Sequence, residues 1–249
     1  MPALRALTDI LHQGLVWRGK GVSRAEQSGV PSGFAALDSE LPGGGWPAGA
    51  LTELLPEHVG IGEIRALGPA LARLSQEGKW LVWISPPYLP YAPALQAAGI
   101  DLAKVMIVRT RIFQDTLWAS EQSLQSGACG ALLCWPHKVT FPQLRRLQIA
   151  AEGSQCLAFL FRHPLAARES SPAALRLHLQ SIKGQLAVKI LKRRGGPLAQ
   201  PILLTPSPVI DKPLRAAIED LHATETHALD SPVSAAPALG MPVARFIHG

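Results

Sequence analysis

No apolar run in this chain of 249 residues reaches the roughly 18 residues that a membrane span requires. Its first residues, Met1-Pro2-Ala3-Leu4-Arg5, lead into Asp9, His12 and Gln13 without the apolar core of a secretory signal, so a soluble, cytoplasmic protein is expected, with no membrane partner. Cysteine is scarce. Cys129, Cys134 and Cys156 make no CxxC pair and join no His/Cys set of zinc type, which excludes a disulfide framework and a structural metal site. All three lie in or beside apolar segments and read as small buried hydrophobes. No G-x-S-x-G elbow is present, and Ser, His and Asp are scattered, so nothing anchors a hydrolase. Charged residues make up only 17% against 47% hydrophobic, which excludes a disordered chain and fits one sizeable globular domain with an appendage.

The charge that is present is unevenly placed. Between Lys138 and Gln200 there are eleven Lys or Arg against two acids, Glu152 and Glu169. That segment carries +9 of a total of +6, which leaves the remainder at −3. A basic half points to an anionic partner, nucleic acid or an acidic protein surface. No aromatic residue interleaves with the charges between Arg162 and Gln200, so stacking on bases finds no support there.

Periodicity divides the chain into three parts. Residues 1–28 carry a helical pattern at Leu4, Leu7, Ile10, Leu11 and Val16. From residue 29 to 204 short apolar runs alternate with amphipathic stretches. Strands are expected at Ala50–Leu55, Trp80–Ile84, Val105–Val108, Ala131–Trp135 and Cys156–Phe161. Helices are expected at Ile61–Glu77, Tyr91–Ala98, Phe113–Gln125 and Phe141–Glu152. Runs apolar on both faces, alternating with helices, predict an α/β fold with a mainly parallel sheet flanked by helices. Leu175, Leu177 and Leu179, then Leu186, Val188 and Ile190 across Lys183-Gly184, predict a C-terminal antiparallel hairpin, half solvated. Residues 205–249 are rich in Pro and Ala and read as a mostly flexible tail with one helix at Lys212–Leu221.

The stretch Val30-Pro31-Ser32-Gly33-Phe34-Ala35-Ala36-Leu37-Asp38, followed by the glycine-rich Leu41–Leu54, resembles the entry to the RecA/RadA recombinase core, and the similarity continues to about residue 200. That resemblance implies a RecA-like core at 29–204. The whole-chain pattern is most similar to the ImuA family, RecA-like accessory proteins of bacterial mutagenic translesion synthesis. The related SulA division inhibitors are the alternative. Under the first reading the expected partners are a Y-family-like polymerase homologue and an error-prone C-family polymerase, with RecA and DNA as further candidates. Under the second the partner is the tubulin homologue FtsZ.

The same resemblance exposes what is missing. A phosphate-binding loop needs backbone N–H groups, a lysine and a hydroxyl residue. Its equivalent is Leu55-Pro56-Glu57-His58-Val59-Gly60-Ile61-Gly62, where Pro56, Glu57 and Gly60 match but Leu55 replaces a glycine, Ile61 the lysine and Gly62 the hydroxyl. Proline follows Ile84-Ser85 where a water-orienting glutamate is expected, and Trp135 takes the place of the magnesium-associated aspartate. No catalytic residue, cofactor or metal is therefore expected, and His58 reads as a surface loop residue.

The resemblance also implies that Arg162–Pro172 is a shortened mobile DNA-contacting loop. Candidate contacts to DNA or a partner are Arg162, Arg168, Arg176, Lys183, Lys189, Lys192, Arg193 and Arg194, together with a docking motif at Phe246 and Ile247. Trp46, Trp80, Trp83, Trp118 and Trp135 fall mostly in apolar segments and read as core, with Trp46 and Trp135 placed to edge the former nucleotide cleft.

Overall fold

The structure, a computed structural model, describes residues 29–204. The expected helices in 1–28 and at Lys212–Leu221, and the Phe246–Ile247 patch, lie outside the described residues. Elements run α1 (Ala35–Asp38), β1 (Ala50–Pro56), α2 (Glu63–Gln76), β2 (Trp80–Ile84), α3 (Ala92–Ala97), β3 (Val105–Val108), α4 (Phe113–Gln125), β4 (Cys129–Cys134), α5 (Phe141–Glu152), β5 (Leu157–Phe161), β6 (Leu175–Ile182), β7 (Gln185–Lys192) and β8 (Ile202–Leu204). Short 3₁₀ turns occupy Leu102–Lys104 and Pro164–Arg168.

The eight strands among the described residues form one sheet in the order β3-β2-β4-β5-β1-β6-β7-β8. Pairing is parallel from β3 through β6, and β7 and β8 add antiparallel. This is the mixed α/β architecture that the alternating runs predict. The all-apolar runs are explained by what covers them. Every residue of β4 and β5 is buried, because helices pack on both faces of the sheet. One core holds Leu67, Leu71, Trp83, Leu133 and Phe159 beneath α2, and the other holds Leu51, Leu132, Leu144, Leu147 and Leu160 beneath α4 and α5.

Three details go beyond the expected pattern. The hairpin is tighter than a half-solvated ribbon. Lys183 and Gly184 both have positive φ, 50° and 77°, the two-residue geometry whose twist matches paired strands. Its first strand, β6, also pairs with β1, so it is an internal strand with most of its first five residues buried. The short strand β8 was not foreseen, since three residues beside Pro201 give no periodicity. Trp118 departs from the core reading: it follows the buried Leu117 on α4, turns away from the sheet and is 65% exposed.

The entry motif has a structural cause. The Ser32 N–H donates to Asp38 Oδ1 at 2.8 Å, and the Phe34 N–H donates to Ser32 Oγ at 3.1 Å. Val30 and Trp46 exchange backbone hydrogen bonds, which seats Trp46 edge-on against Phe159 with ring centroids 5.3 Å apart. The glycine-rich loop thus folds back as a cover on the core under α2.

The cysteines are buried, as their apolar surroundings predict. Burial pushes the Cys134 thiol from an ordinary 9.0 up to about 12. The native state keeps that proton while an unfolded thiol gives it up, so stability falls as pH rises from 9.0 towards 12. We expect urea midpoints measured between pH about 8 and about 10 to decline less steeply in Cys134→Ala than in the parent chain.

Candidate functional site

The ends of the parallel strands gather the segments from which a site can be built. Three features converge there: the loop after β1, an apolar cavity beside it, and a buried ionic cluster on the opposite face of the sheet.

The loop Pro56–Gly62 leads from β1 into α2, and its residues Glu57 to Gly60, His58 included, are exposed. The loop is fastened to β6, where the Glu57 N–H donates to the Leu179 carbonyl at 2.9 Å and Gln180 Nε2 donates to Glu57 Oε1 at 2.9 Å. Its inner donors face a carboxylate of the same chain. The Gly60 N–H donates to Glu63 Oε1 at 2.8 Å and the Gly62 N–H to Glu63 Oε2 at 3.1 Å. Glu63 is buried at the first position of α2, where the helix dipole favours a negative charge. Sequence reading passed over this residue because it follows the eight loop positions; an acid at the start of a helix was the available signal.

Beside the loop, between α2 and the β2–α3 connection, lies a cavity of about 300 Å³. Trp83, Trp135, Ile64, Leu95 and Ile100 form its walls, and Val59, Tyr88, Leu89 and Tyr91 stand exposed at its rim. Trp135 stacks on Phe161 at 4.3 Å and packs against Trp83 at 5.7 Å, so the end of β4 contributes a stacked aromatic wall. Trp46, expected at the same cleft edge, is instead enclosed in the core. Among the described residues the Trp46 and Trp83 Nε1 atoms are buried without a hydrogen-bond partner. Pro86 and Pro87 line the cavity at the end of β2. Among the described residues no group of three or more His, Cys, Asp or Glu is placed to hold a metal, and no helix is long and apolar enough to cross a membrane.

The basic candidates separate into two sets. Arg162 and Arg176 turn inward to Glu53, which is 0% exposed on β1. Arg162 Nη1 donates to Glu53 Oε1 at 3.0 Å, and Arg176 Nε donates to Glu53 Oε2 at 2.6 Å. Ser171 Oγ donates to Glu53 Oε1 at 2.8 Å, and Arg162 Nη2 reaches Glu169 at 2.6 Å. Arg176 also donates to the carbonyls of Ala166 and Glu169. The segment expected as an open, mobile loop is therefore folded around this cluster, and these two guanidinium groups have internal partners.

Lys192 donates to the Ser171 carbonyl, and Arg193 pairs with Glu40 at 2.8 Å, tying the end of β7 to the entry segment. Arg168, Lys183, Lys189 and Arg194 stand exposed, but Arg168 follows β5 while Lys183 occupies the hairpin turn. The alternation in the sequence could not distinguish the sets, because the counter-ion Glu53 sits in a strand about a hundred residues earlier.

Removing one partner of a buried ion pair leaves the other charge uncompensated. Arg176→Ala is expected to cost about 3–5 kcal/mol in urea unfolding, whereas Lys183→Ala stays within about 0.5 kcal/mol.

The family model described as Cell division inhibitor SulA matches residues 55–158, from the end of β1 to the start of β5. Curated relatives bear the same description. The chain is 32% identical over 113 residues to the Cronobacter sakazakii protein, covering 44% of this chain and 67% of that one. It is 33% identical over 95 residues to the Pectobacterium carotovorum protein, covering 38% and 56%. It is 30% identical over 118 residues to the Photorhabdus laumondii protein, covering 47% and 67%. The matches thus span between about half and two thirds of those relatives, and Glu53, Arg162 and Arg176 lie outside the segment that the family model covers. On these similarities the chain belongs to the SulA family.

Proposed function

We propose that this protein acts without catalysis, as a SulA-type inhibitor that halts bacterial division in the damage response by docking on FtsZ in the cytoplasm. The observation that carries the non-catalytic part is the Glu63 carboxylate on the Gly60 and Gly62 N–H groups. In the RecA-like reading, residues 29–204 are a RecA-type core. The strand order, with β1 lying between β5 and β6, supports that reading. The loop after β1 is then the former phosphate cradle. Two of the amides that would hold a phosphate already hold a carboxylate, and Ile61 offers no cation to offset a triphosphate. Neither Pro86 nor Trp135 supplies the carboxylate that hydrolysis needs. The cleft is aromatic and apolar, a surface for protein.

A second reading, an ImuA-type accessory factor of translesion synthesis, draws on a separate observation. The described domain continues beyond the SulA match on both sides, through the entry segment 30–54 and through β6–β8 with their basic side chains. Its partners would be the Y-family-like protein, the error-prone polymerase and RecA. DNA contact would run through the exposed Arg168, Lys183, Lys189 and Arg194 and would weaken steeply with salt.

Two measurements test these readings. Magnesium and ATP are expected to leave the melting temperature unchanged, and a ligand-dependent rise would overturn the non-catalytic reading. Expression in a bacterium is expected to give filamentous cells, with the purified protein blocking FtsZ polymerisation. Normal division, together with loss of damage-induced mutagenesis on deletion of the gene, would decide for the second reading.

A further inference from the structure

Two of the three cysteines are brought together by an irregularity in β4. On β2, Trp80 faces Cys129 and the next residue, Leu81, faces Ala131, so Gly130 is one extra residue in the pair. Its place admits glycine alone, since an added Cβ would meet the Lys79 Cβ at 2.6 Å. Strict alternation would put Cys129 on the face of Ala131 and Leu133, in the core beneath α2. The bulge turns it to the other face, into the core that holds Leu132, Ala158 and Cys156.

There the Cys156 thiol donates to Cys129 Sγ at 3.3 Å, across a separation of 27 in the sequence. A disulfide of about 2.05 Å then needs a shift of roughly 0.6 Å at each sulfur. Cys134 shares this core but lies at the far end of β4, about 15 Å away, and its sulfur accepts from Ser120 Oγ. Cys129 is 8% exposed and follows the exposed Ser126, Gly127 and Ala128, whereas Cys156 is 1% exposed. The contact with Cys129, and then burial, push the Cys156 thiol well above its ordinary value. A small oxidant therefore meets Cys129 first, and Cys156 is placed to complete the bond.

We propose that Cys129 and Cys156 are a redox site, which hydrogen peroxide converts to a reversible disulfide that clasps β4 to β5. The clasp sits where these strands begin, at the end of the sheet away from the cleft. It strengthens the domain and leaves the docking surface as it is, so either functional reading accommodates it.

The reaction takes two steps. The Cys129 thiolate attacks one peroxide oxygen; an S–O bond forms, the O–O bond breaks, and hydroxide leaves and takes up the thiol's proton as water. The Cys156 sulfur then attacks the Cys129 sulfur; the S–S bond forms, the S–O bond breaks, and a second water leaves with the Cys156 proton. The two sulfurs give up two electrons and the peroxide gains them. A small dithiol returns both to thiols by exchange.

The test treats the folded full chain with hydrogen peroxide, then unfolds it and counts free thiols by alkylation and mass spectrometry. The count is expected to fall from three to one, with a cross-linked peptide holding Cys129 and Cys156, and dithiothreitol is expected to restore it. The melting temperature of the oxidised chain is expected to rise by about 5–10 °C. In Cys156→Ala the first thiol has no partner, and dimedone is expected to trap Cys129 as the sulfenic acid. Cys134→Ala is expected to form the cross-link as the parent does.

Three free thiols after treatment, a cross-link through Cys134, or a link between two chains would each overturn the proposal. So would a cross-link that forms only in urea, because the folded sheet would then not present the pair. A complete cross-link with an unchanged melting temperature would overturn the clasp.

Discussion

A carboxylate buried at the centre of a sheet must be neutralised, and the way Glu53 is neutralised organises one end of this domain. Glu53 lies on β1, and of its two arginine partners Arg162 directly follows β5 and Arg176 lies on β6, the neighbours on either side. Desolvating three charges is costly, and the cost is offset only because both carboxylate oxygens are used and the guanidinium groups reach further acceptors. That demand fixes how residues 162–174 cross β1, with Ala166 of the 3₁₀ turn at Pro164–Arg168 and Glu169 just after it offering their carbonyls inward. The connection between two parallel strands, ordinarily a helix, is here a loop held by charge.

On the other face of the sheet the same logic runs through Glu63. A loop of glycines entering a helix leaves amide donors that need an acceptor. This chain supplies one from the next residue, so the Gly60 and Gly62 donors are satisfied by Glu63. Around it, positions that could carry charge hold Ile61, Pro86, Pro87 and Trp135. The consequence is a cleft with an aromatic interior whose chemistry favours apolar side chains.

The parallel sheet was legible because strands buried on both faces leave uninterrupted apolar runs. Trp80–Ile84, Val105–Val108, Phe113–Gln125 and Phe141–Glu152 coincide with the boundaries read from the sequence. The hairpin turn was legible through Lys183-Gly184. What the sequence concealed were partnerships across long separations. An arginine alternating with leucines on β6 reads as a solvated charge until Glu53 is found opposite it. Glu63 was hidden for another reason: a motif read as eight positions stops one residue short of the side chain that fills it. β8 was hidden because its three residues acquire their meaning from β7.

The sheet order also governs when this chain can close during synthesis. β1 leaves the ribosome first among the described strands, yet its two neighbours are the fifth and sixth. No strand made between residues 57 and 156 pairs with it, so the apolar β1 waits unpaired through the production of about a hundred residues. Contacts of such sequence separation form slowly and leave apolar edges open to other chains in the interval. The nascent chain is therefore most in need of a chaperone before Arg176 has been added, and a truncation upstream of β6 produces an aggregating fragment rather than a smaller domain.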